Sequence, residues 1–216
     1  MFAHITSLAL VDAVNPCTLA VQALLLSAIV LTKGRKQGVI AGALFASTIY
    51  IMYLLYGLGI LQVIYLTGLQ DVLELILKGL LLLMIALELN AYFNYRPGMI
   101  SMEMPMFLRP FVKKTVNAID NPLMSVPIAA ICSILLLPCS SGPYVAALMI
   151  LEQYKVALKL AYLLYYCALF VLPMFLITAL VGIGTSPKKV MEWRNNHVKE
   201  LHLLSGLLLL SVLLLL

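Results

Sequence analysis

Long apolar runs, separated by short polar clusters, constrain this chain more than any other feature. In "LILKGLLLLMIALEL", residues 75–89, only two side chains carry a charge. Over the whole chain 63% of residues are hydrophobic and 11% charged, against roughly 45–50% and 25% in soluble domains. Runs of this length predict membrane-spanning helices. We therefore expect an all-α membrane protein with a single integral membrane domain over residues 1–216.

The apolar runs divide into six predicted transmembrane helices. These spans cover residues 6–31, 39–61, 71–92, 123–150, 157–182 and 200–216. The first run lacks a positively charged leader and is longer than the apolar core of a signal peptide, which favours a span. The longest gap, about 93–122, contains "FLRPFVKK". This basic segment predicts contact with anionic membrane lipid, or a guide for a soluble partner.

The basic residues predict the orientation of the chain. The net charge is +5 and the isoelectric point about 9.0, but the cations follow membrane topology and do not indicate nucleic-acid binding. Cytoplasmic loops of membrane proteins are enriched in Lys and Arg. Both termini are therefore predicted outside the cell, in a prokaryotic plasma membrane. Of the 14 Lys and Arg residues, eleven follow the first, third and fifth spans: Lys33, Arg35, Lys36, Arg96, Arg109, Lys113, Lys114, Lys188, Lys189, Arg194 and Lys199.

A Pro-Cys pair occurs in the first span of each three-span half. The halves cover about 1–95 and 120–216, and six spans give them opposite directions across the membrane. Matching features in two opposed halves are typical of inverted repeats, which place their working site near the bilayer midplane on discontinuous helices. The predicted fold is thus two inverted three-helix repeats, with the first helix of each broken at its Pro-Cys pair.

The first break has the residues that restart a helix. Proline removes a backbone donor and clashes with the preceding turn, so Pro16 predicts an interruption inside the first span. Asn15 is suited to cap the restarted helix and Pro16 to begin it. Cys17 then lies in the first turn, where unpaired amides and the helix dipole stabilise a thiolate.

The second motif differs in detail. Its residues are Pro138, Cys139, Ser140, Ser141, Gly142 and Pro143. Pro143 is suited to open a fresh helix capped by Ser141 or Gly142, which leaves Cys139 in an unwound stretch. The two remaining cysteines, Cys132 and Cys167, lack a neighbouring break or cap and are interpreted as packing residues.

Two cysteines inside a membrane can bind a soft metal, form a permanent disulfide, or cycle between dithiol and disulfide. Metal binding requires further soft or imidazole ligands. The histidines lie at the ends of predicted spans, at His4, His197 and His202. Met149 and Met174 keep soft-metal transport open as an alternative. Redox cycling makes use of both the breaks and the stabilised thiolate.

The motifs "NPCTLAVQALLL" and "PCSSGPY" resemble the paired motifs of the CcdA family, short relatives of the transmembrane domain of the reductase DsbD. The resemblance implies that Cys17 and Cys139 are the redox pair. It also implies that Pro16, Pro138, Gly142 and Pro143 loosen the helices around this pair. By the same resemblance, the protein is a thiol-disulfide carrier with no cofactor. It transfers electrons from cytoplasmic thioredoxin to thioredoxin-like proteins outside, in support of cytochrome c maturation.

Other functions are compatible with the same topology. The Asn-Pro-Cys sequence is similar to the Asn-Pro-Ala motif of aquaporins, but Leu137 stands where the second copy would require Asn. A small-metal or small-solute transporter with inverted repeats is the main alternative, and a purely structural membrane protein is another.

Several further residues inside the spans carry predictions. Asp12, one turn before Pro16, is suited to bind the freed backbone or to exchange a proton with Cys17, and an outer-surface position is equally compatible with the sequence. Gln22 predicts a hydrogen bond between helices. Glu88 predicts a side chain that extends to the membrane interface. The candidate hinges besides the breaks are Gly57, Gly59 and Pro173.

Overall fold

The computed structural model describes residues 2–14, 16–67, 70–94 and 121–215. This part of the chain is all-helical, with eight α-helices and a short 3₁₀ helix. The α-helices are α1 (Phe2–Ala13), α2 (Pro16–Lys33), α3 (Arg35–Thr67), α4 (Gln70–Asn94), α5 (Ser125–Glu152), α6 (Val156–Ile183), α7 (Pro187–Asn196) and α8 (Val198–Leu215). The 3₁₀ helix, Pro122–Met124, precedes α5 and is capped by the Asn121 side chain, which accepts from the amide of Leu123.

The predicted all-α class is confirmed, and every predicted span contains a helix. Within the described ranges, two helices are long and apolar enough to cross a membrane: Arg35–Ile64 of α3 and Val156–Ile183 of α6. Helix α7 lies in the gap before the last predicted span, where the apolar pattern gave no signal. Its sequence, "PKKVMEWRNN", is polar, so a search for apolar runs misses it. Pro187 is well suited to the first position of this helix.

The predicted interruption at the first Pro-Cys pair is confirmed. Helix α1 ends at Ala13 and α2 begins at Pro16. The amide of Val14 still donates to the carbonyl of Leu10, 3.2 Å away, so the helical hydrogen bonds continue up to the break. Asn15, the predicted cap, lies outside the described residues. Proline at the first position of α2 has no donor to leave unsatisfied, which explains why the helix restarts there.

The predicted break at the second Pro-Cys pair is wrong. Helix α5 is continuous from Ser125 to Glu152 and passes through Pro138, Cys139 and Pro143. Cys139 is therefore in a helical turn, and Pro143 does not open a new helix. The residue before Pro138 is Leu137, whose side chain has no acceptor to cap a restarted helix. Without a cap, keeping the remaining backbone hydrogen bonds is the better arrangement for an apolar helix.

The helices pack around a core to which α3, α5 and α6 contribute most. Helix α3 packs against both α5 and α6, α4 packs against α8, and α1 packs against α5 and α6. At Gly57, α3 comes so close that an added Cβ would meet the Tyr144 hydroxyl and lie 2.9 Å from Cδ1 of Leu163. A similar close approach occurs at Gly42, where an added Cβ would lie 2.8 Å from Thr178 Oγ1. Both glycines allow tight helix packing.

The ends of α2 and α6 use glycines in a backbone conformation that other residues rarely adopt. Gly34, between α2 and α3, has φ of 87°, and Gly184, after α6, has φ of 134°. Arg35, the first residue of α3, donates from Nη2 to the carbonyl of Gly184 at 3.4 Å. This hydrogen bond places the start of α3 and the end of α6 at one end of the helix bundle.

We expect Gly57→Ala to destabilise the fold by about 1–3 kcal/mol, because overpacking forces neighbouring side chains to move. Gly59 is the matched control, since it lies on the same helix and an added Cβ there meets nothing within 4 Å. Gly59→Ala should be neutral or stabilising by up to about 1 kcal/mol through helix propensity. Chemical unfolding of both variants in detergent measures the difference. Equal stabilities would contradict the tight contact at Gly57.

Candidate thiol site and its polar surroundings

The first Pro-Cys pair lies at the start of α2, as the sequence predicts. Cys17 is the second residue of α2, in its first turn. Cys139 lies inside α5, which packs against α1 and touches α2 at a few residues. The helix that carries Cys139 therefore contacts the elements on both sides of the break before Cys17. Among the remaining site residues, Gly142 and Pro143 are buried. The structure does not describe the side chains of the seven other predicted site residues: Asn15, Pro16, Cys17, Pro138, Cys139, Ser140 and Ser141.

A buried polar cluster lies close in sequence to both motifs. We call Asp12, Tyr53, Tyr144 and Tyr166 the Asp12 cluster. Asp12, near the end of α1, is 1% exposed, and the hydroxyl of Tyr166 donates to its Oδ2 at 3.1 Å. The Tyr144 hydroxyl donates to the backbone carbonyl of Tyr53. The rings of Tyr144 and Tyr166 have centroids 5.5 Å apart, which connects the two hydrogen bonds through ring contact.

Aromatic rings pack within and against this cluster. The ring centroid of Tyr53 lies 4.6 Å from that of Phe170 and 5.4 Å from that of Tyr144. Both Tyr53 and Phe170 are buried. A hydrogen bond to a carboxylate is stronger in such surroundings than in water. The burial of Asp12 decides against the outer-surface position that the sequence also allowed.

The two other cysteines are buried and unbridged, in agreement with their interpretation as packing residues. Cys132 on α5 is 2% exposed and Cys167 on α6 is 0% exposed. Both belong to the hydrophobic core. Cys167 follows Tyr166 directly in the sequence, so it borders the Asp12 cluster.

Gln22 forms the predicted hydrogen bond between helices. Its Nε2 donates to Thr178 Oγ1 at 2.7 Å and to the carbonyl of Gly42 at 3.3 Å. Thr178 in turn donates to the carbonyl of Met174 at 2.8 Å. Gln22 is fully buried, and these bonds join α2, α3 and α6. Since Gln22 lies on α2 five residues after Cys17, the network holds the restarted helix in place.

The prediction for Glu88 is wrong. Glu88 on α4 is 2% exposed, and its Oε2 lies 2.5 Å from Nδ1 of His202 on α8, which is 0% exposed. A Cβ added at Gly206 would lie 3.3 Å from Glu88 Cβ, so this glycine allows α8 to approach the carboxylate. The sequence contained a signal for this pair, because an acid inside one apolar run and a histidine inside another are rarely left unpaired in a membrane. Sequence reasoning did not connect the two because they are 114 residues apart.

The side chains that the structure describes do not include a group of three or more His, Cys, Asp and Glu residues able to hold a metal ion. No family model matches the chain, and neither a curated protein nor a solved structure matches it.

Proposed function

We propose that this protein is a six-span membrane carrier of reducing equivalents that works through a Cys17–Cys139 dithiol/disulfide pair, as its resemblance to the CcdA family implies. The observation that carries the proposal is the interruption of the first span. It puts Cys17 in the first turn of α2, directly after α1, and α1 packs against the helix that contains Cys139. The main expected role is transfer of electrons from cytoplasmic thioredoxin to a thioredoxin-like protein outside.

The packing of the helices supports an inverted repeat. If α1–α2, α3 and α4 correspond to α5, α6 and α8, each unit packs against its counterpart: α3 against α6, α4 against α8, and α1–α2 against α5, mainly through α1. A pseudo-twofold axis between two inverted halves brings counterparts together in this way. The working site of such a protein lies on the axis, and the two Pro-Cys pairs are counterparts as well.

Contacts at the two ends of the bundle support the proposed orientation. Arg35 bonds to Gly184, so the basic segments after α2 and α6 begin at the same end, which we assign to the cytoplasm. Phe2 stacks on Tyr165 with a centroid distance of 5.2 Å, and Thr6 Oγ1 lies 3.2 Å from the Tyr165 hydroxyl. Tyr165 belongs to the first half of α6. The N-terminus thus lies toward the other end of the bundle, which we assign to the outside.

Cys17 is suited to be a reactive thiol. The first amides of a helix have no intrahelical acceptor, and the positive end of the helix dipole lies there. Both favour the thiolate, which is the attacking form in disulfide exchange. Cys139 is not at a helix start, so the two cysteines are inequivalent and only Cys17 benefits from the dipole.

The transfer takes place in two balanced exchanges. On the cytoplasmic side a thioredoxin thiolate attacks the Cys17–Cys139 disulfide, which breaks that S–S bond and forms a mixed disulfide. The second thioredoxin thiol displaces the mixed disulfide, so thioredoxin is oxidised and the carrier gains two electrons and two protons. On the outside the reduced pair repeats these steps on the disulfide of the outer partner and is reoxidised.

This function requires the two cysteines to approach and then to face each side in turn. A disulfide needs Cα atoms within roughly 4.4–6.8 Å. The break before Pro16 is the best candidate for a hinge, because α1 ends at Ala13 and α2 begins at Pro16. The basic segment "FLRPFVKK" lies outside the described residues, and its contact with anionic membrane lipid or with a soluble partner stays a prediction from the sequence.

Counting thiols tests the redox pair directly. Of the 4 cysteines, we expect a maleimide to label only two, Cys132 and Cys167, in denatured protein prepared under oxidising conditions. Reduction should raise the number to all 4. Cys17→Ala should give three labelled thiols in both states, since its partner has nothing to bridge. Four labelled thiols before reduction would contradict the proposal, and protection of Cys17 and Cys139 by a metal would favour the transporter alternative.

A further inference from the structure

We propose that α7 is an interfacial helix that binds anionic lipid headgroups, with Trp193 at the level of the headgroups and exposed basic side chains around it. This inference goes beyond the proposed redox function. It requires that α6 crosses the membrane, and it holds whether or not the two Pro-Cys pairs exchange disulfides.

The length of α6 and the short connection after it place α7 at the membrane surface. Helix α6 has 28 residues and is therefore about 42 Å long. A bilayer with its headgroups measures about 40–45 Å, so the end of a spanning α6 reaches the headgroup layer. Residues 184–186 join α6 to α7, and His197 alone joins α7 to α8. Helix α7 is thus held at both ends beside helices of predicted spans.

Hydrogen bonds close the turn between α6 and α7. The amide of Gly184 donates to the carbonyl of Val181 at 3.3 Å, and the amide of Thr185 donates to the carbonyl of Leu180 at 3.0 Å. This pair of bonds is a Schellman motif, which commonly ends a helix at a glycine. The chain therefore turns directly at the end of α6, and α7 packs mainly against α2.

One face of α7 is exposed. The exposed side chains follow the spacing of a single helical face, and they are Lys189, Glu192, Trp193 and Asn196. Pro187 is buried, which agrees with packing of the helix on its neighbours. The side chain of Trp193 is 54% exposed. A large apolar ring with one N–H donor, surrounded by polar side chains, is typical of the membrane–water interface.

The indole of Trp193 is held in place by its neighbours. Its ring stacks on that of His197, with centroids 5.0 Å apart and an interplanar angle of 25°. Nδ1 of His197 donates to the carbonyl of Trp193 at 2.9 Å. On its other side, Nε2 of His197 lies 4.0 Å from Oε2 of Glu200 in α8. A ring that is already ordered loses less conformational entropy on binding, which suits an anchor.

The charges at this end of the bundle complement an anionic surface. Arg35 donates to the carbonyl of Gly184, which brings the turn between α2 and α3 next to the turn before α7. The exposed cations described here are Lys33, Arg35, Lys36, Lys189 and Lys199, and the exposed acids are Glu192 and Glu200. Basic residues at a membrane surface attract anionic headgroups. Charge alone would also suit an acidic protein, but the position of α7 and its exposed indole favour lipid.

The fluorescence of Trp193 tests the proposal without a label, because the chain contains 1 Trp. The protein is placed in phosphatidylcholine nanodiscs with a tryptophan-free scaffold protein. Brominated phosphatidylcholine or brominated phosphatidylglycerol is added at equal mole fraction, since bromine quenches an indole on contact. We expect phosphatidylglycerol to reach the same quenching at about a fivefold lower mole fraction, and added salt should weaken this preference.

The depth of the ring is measured in the same nanodiscs. Bromines near the headgroup end of the acyl chain should quench Trp193 more than bromines near the chain terminus. Acrylamide, which stays in the water, should quench it less than it quenches free tryptophan. Both results are expected for an indole at the level of the headgroups.

Lys189→Gln removes one cation from the exposed face of α7, one turn before Trp193. It should lower the preference for phosphatidylglycerol about twofold, since the other cations remain. Lys155→Gln is the matched control, because it removes an exposed cation from the residue before α6, at the opposite end of that helix. It should leave the preference unchanged, and equal effects of the two variants would contradict a site on α7.

The other outcomes also decide. Full quenching by acrylamide with none by either brominated lipid would overturn the proposal, and the exposed face of α7 would then be available to a soluble protein. Equal quenching by the two lipids, or strongest quenching by bromines near the chain terminus, would overturn the anionic headgroup site. The redox pair is tested separately by counting thiols, so failure of one proposal leaves the other standing.

Discussion

Replacing Cys17 or Cys139 with alanine should abolish electron transfer between thioredoxin and the outer partner. A single remaining thiol cannot form the intramolecular disulfide, so the cycle stops after the first exchange. Proteoliposomes with reduced thioredoxin inside and an oxidised thioredoxin-like protein outside measure the transfer. Cys132→Ala is the matched control on the helix that carries Cys139, and it should transfer electrons at the wild-type rate.

The two single variants should also differ from each other. Cys139→Ala retains Cys17 at the start of α2, where the thiolate is favoured. The probe is a thioredoxin variant that retains only its attacking cysteine, and that cysteine is first converted to an activated mixed disulfide. Cys139→Ala should form a disulfide with this probe faster than Cys17→Ala does. Gel mobility without reductant shows the adduct. Normal transfer by either single variant would refute the paired mechanism, and equal trapping would refute the special role of the helix start.

Replacing one partner of the buried Glu88–His202 pair should lower the free energy of unfolding more than any other substitution considered for this protein. Glu88→Leu or His202→Leu leaves a polar partner in an apolar interior. Each should lower the free energy of unfolding by about 3–5 kcal/mol. The double variant, Glu88→Leu with His202→Leu, should recover most of that loss, because replacing both partners of a buried pair by apolar residues is often neutral.

A double-mutant cycle, by chemical unfolding in detergent, measures this coupling. The exposed pair of His197 and Glu200, with Nε2 and Oε2 4.0 Å apart, provides the comparison. Glu200→Ala should cost less than about 1 kcal/mol, since exposed ion pairs are screened by water. Additive effects of the two Leu substitutions would show that Glu88 and His202 do not stabilise each other.

The positions of the long helices could be predicted from hydrophobicity alone. The predicted span of 71–92 corresponds to α4 at Gln70–Asn94, and that of 157–182 to α6 at Val156–Ile183. In an apolar environment a segment must form its backbone hydrogen bonds internally. An apolar run of this length is therefore predicted to be helical. Helix α7 is polar, so a search for apolar runs could not predict it.

Proline alone did not predict the breaks. Pro16 begins a helix, whereas Pro138 and Pro143 lie within one. The difference agrees with local capping, because Asn precedes the first proline and Leu the second. Whether a helix stops at a proline depends on the difference in free energy between the continuous and the interrupted helix. For α5 this difference includes the packing of the continuous helix against α1, α3 and α6. Neighbours of this kind cannot be read from the local sequence.

The order of apolar and polar residues thus determined the helical class, the helix positions and the restart at Pro16, since each depends on residues only a few positions apart. Tertiary structure alone decided that Asp12 is bound by Tyr166 and that Glu88 is bound by His202. These partners are separated by 154 and 114 residues. A buried charge must be satisfied by a nearby group, but only the packing of the helices selects which group that is.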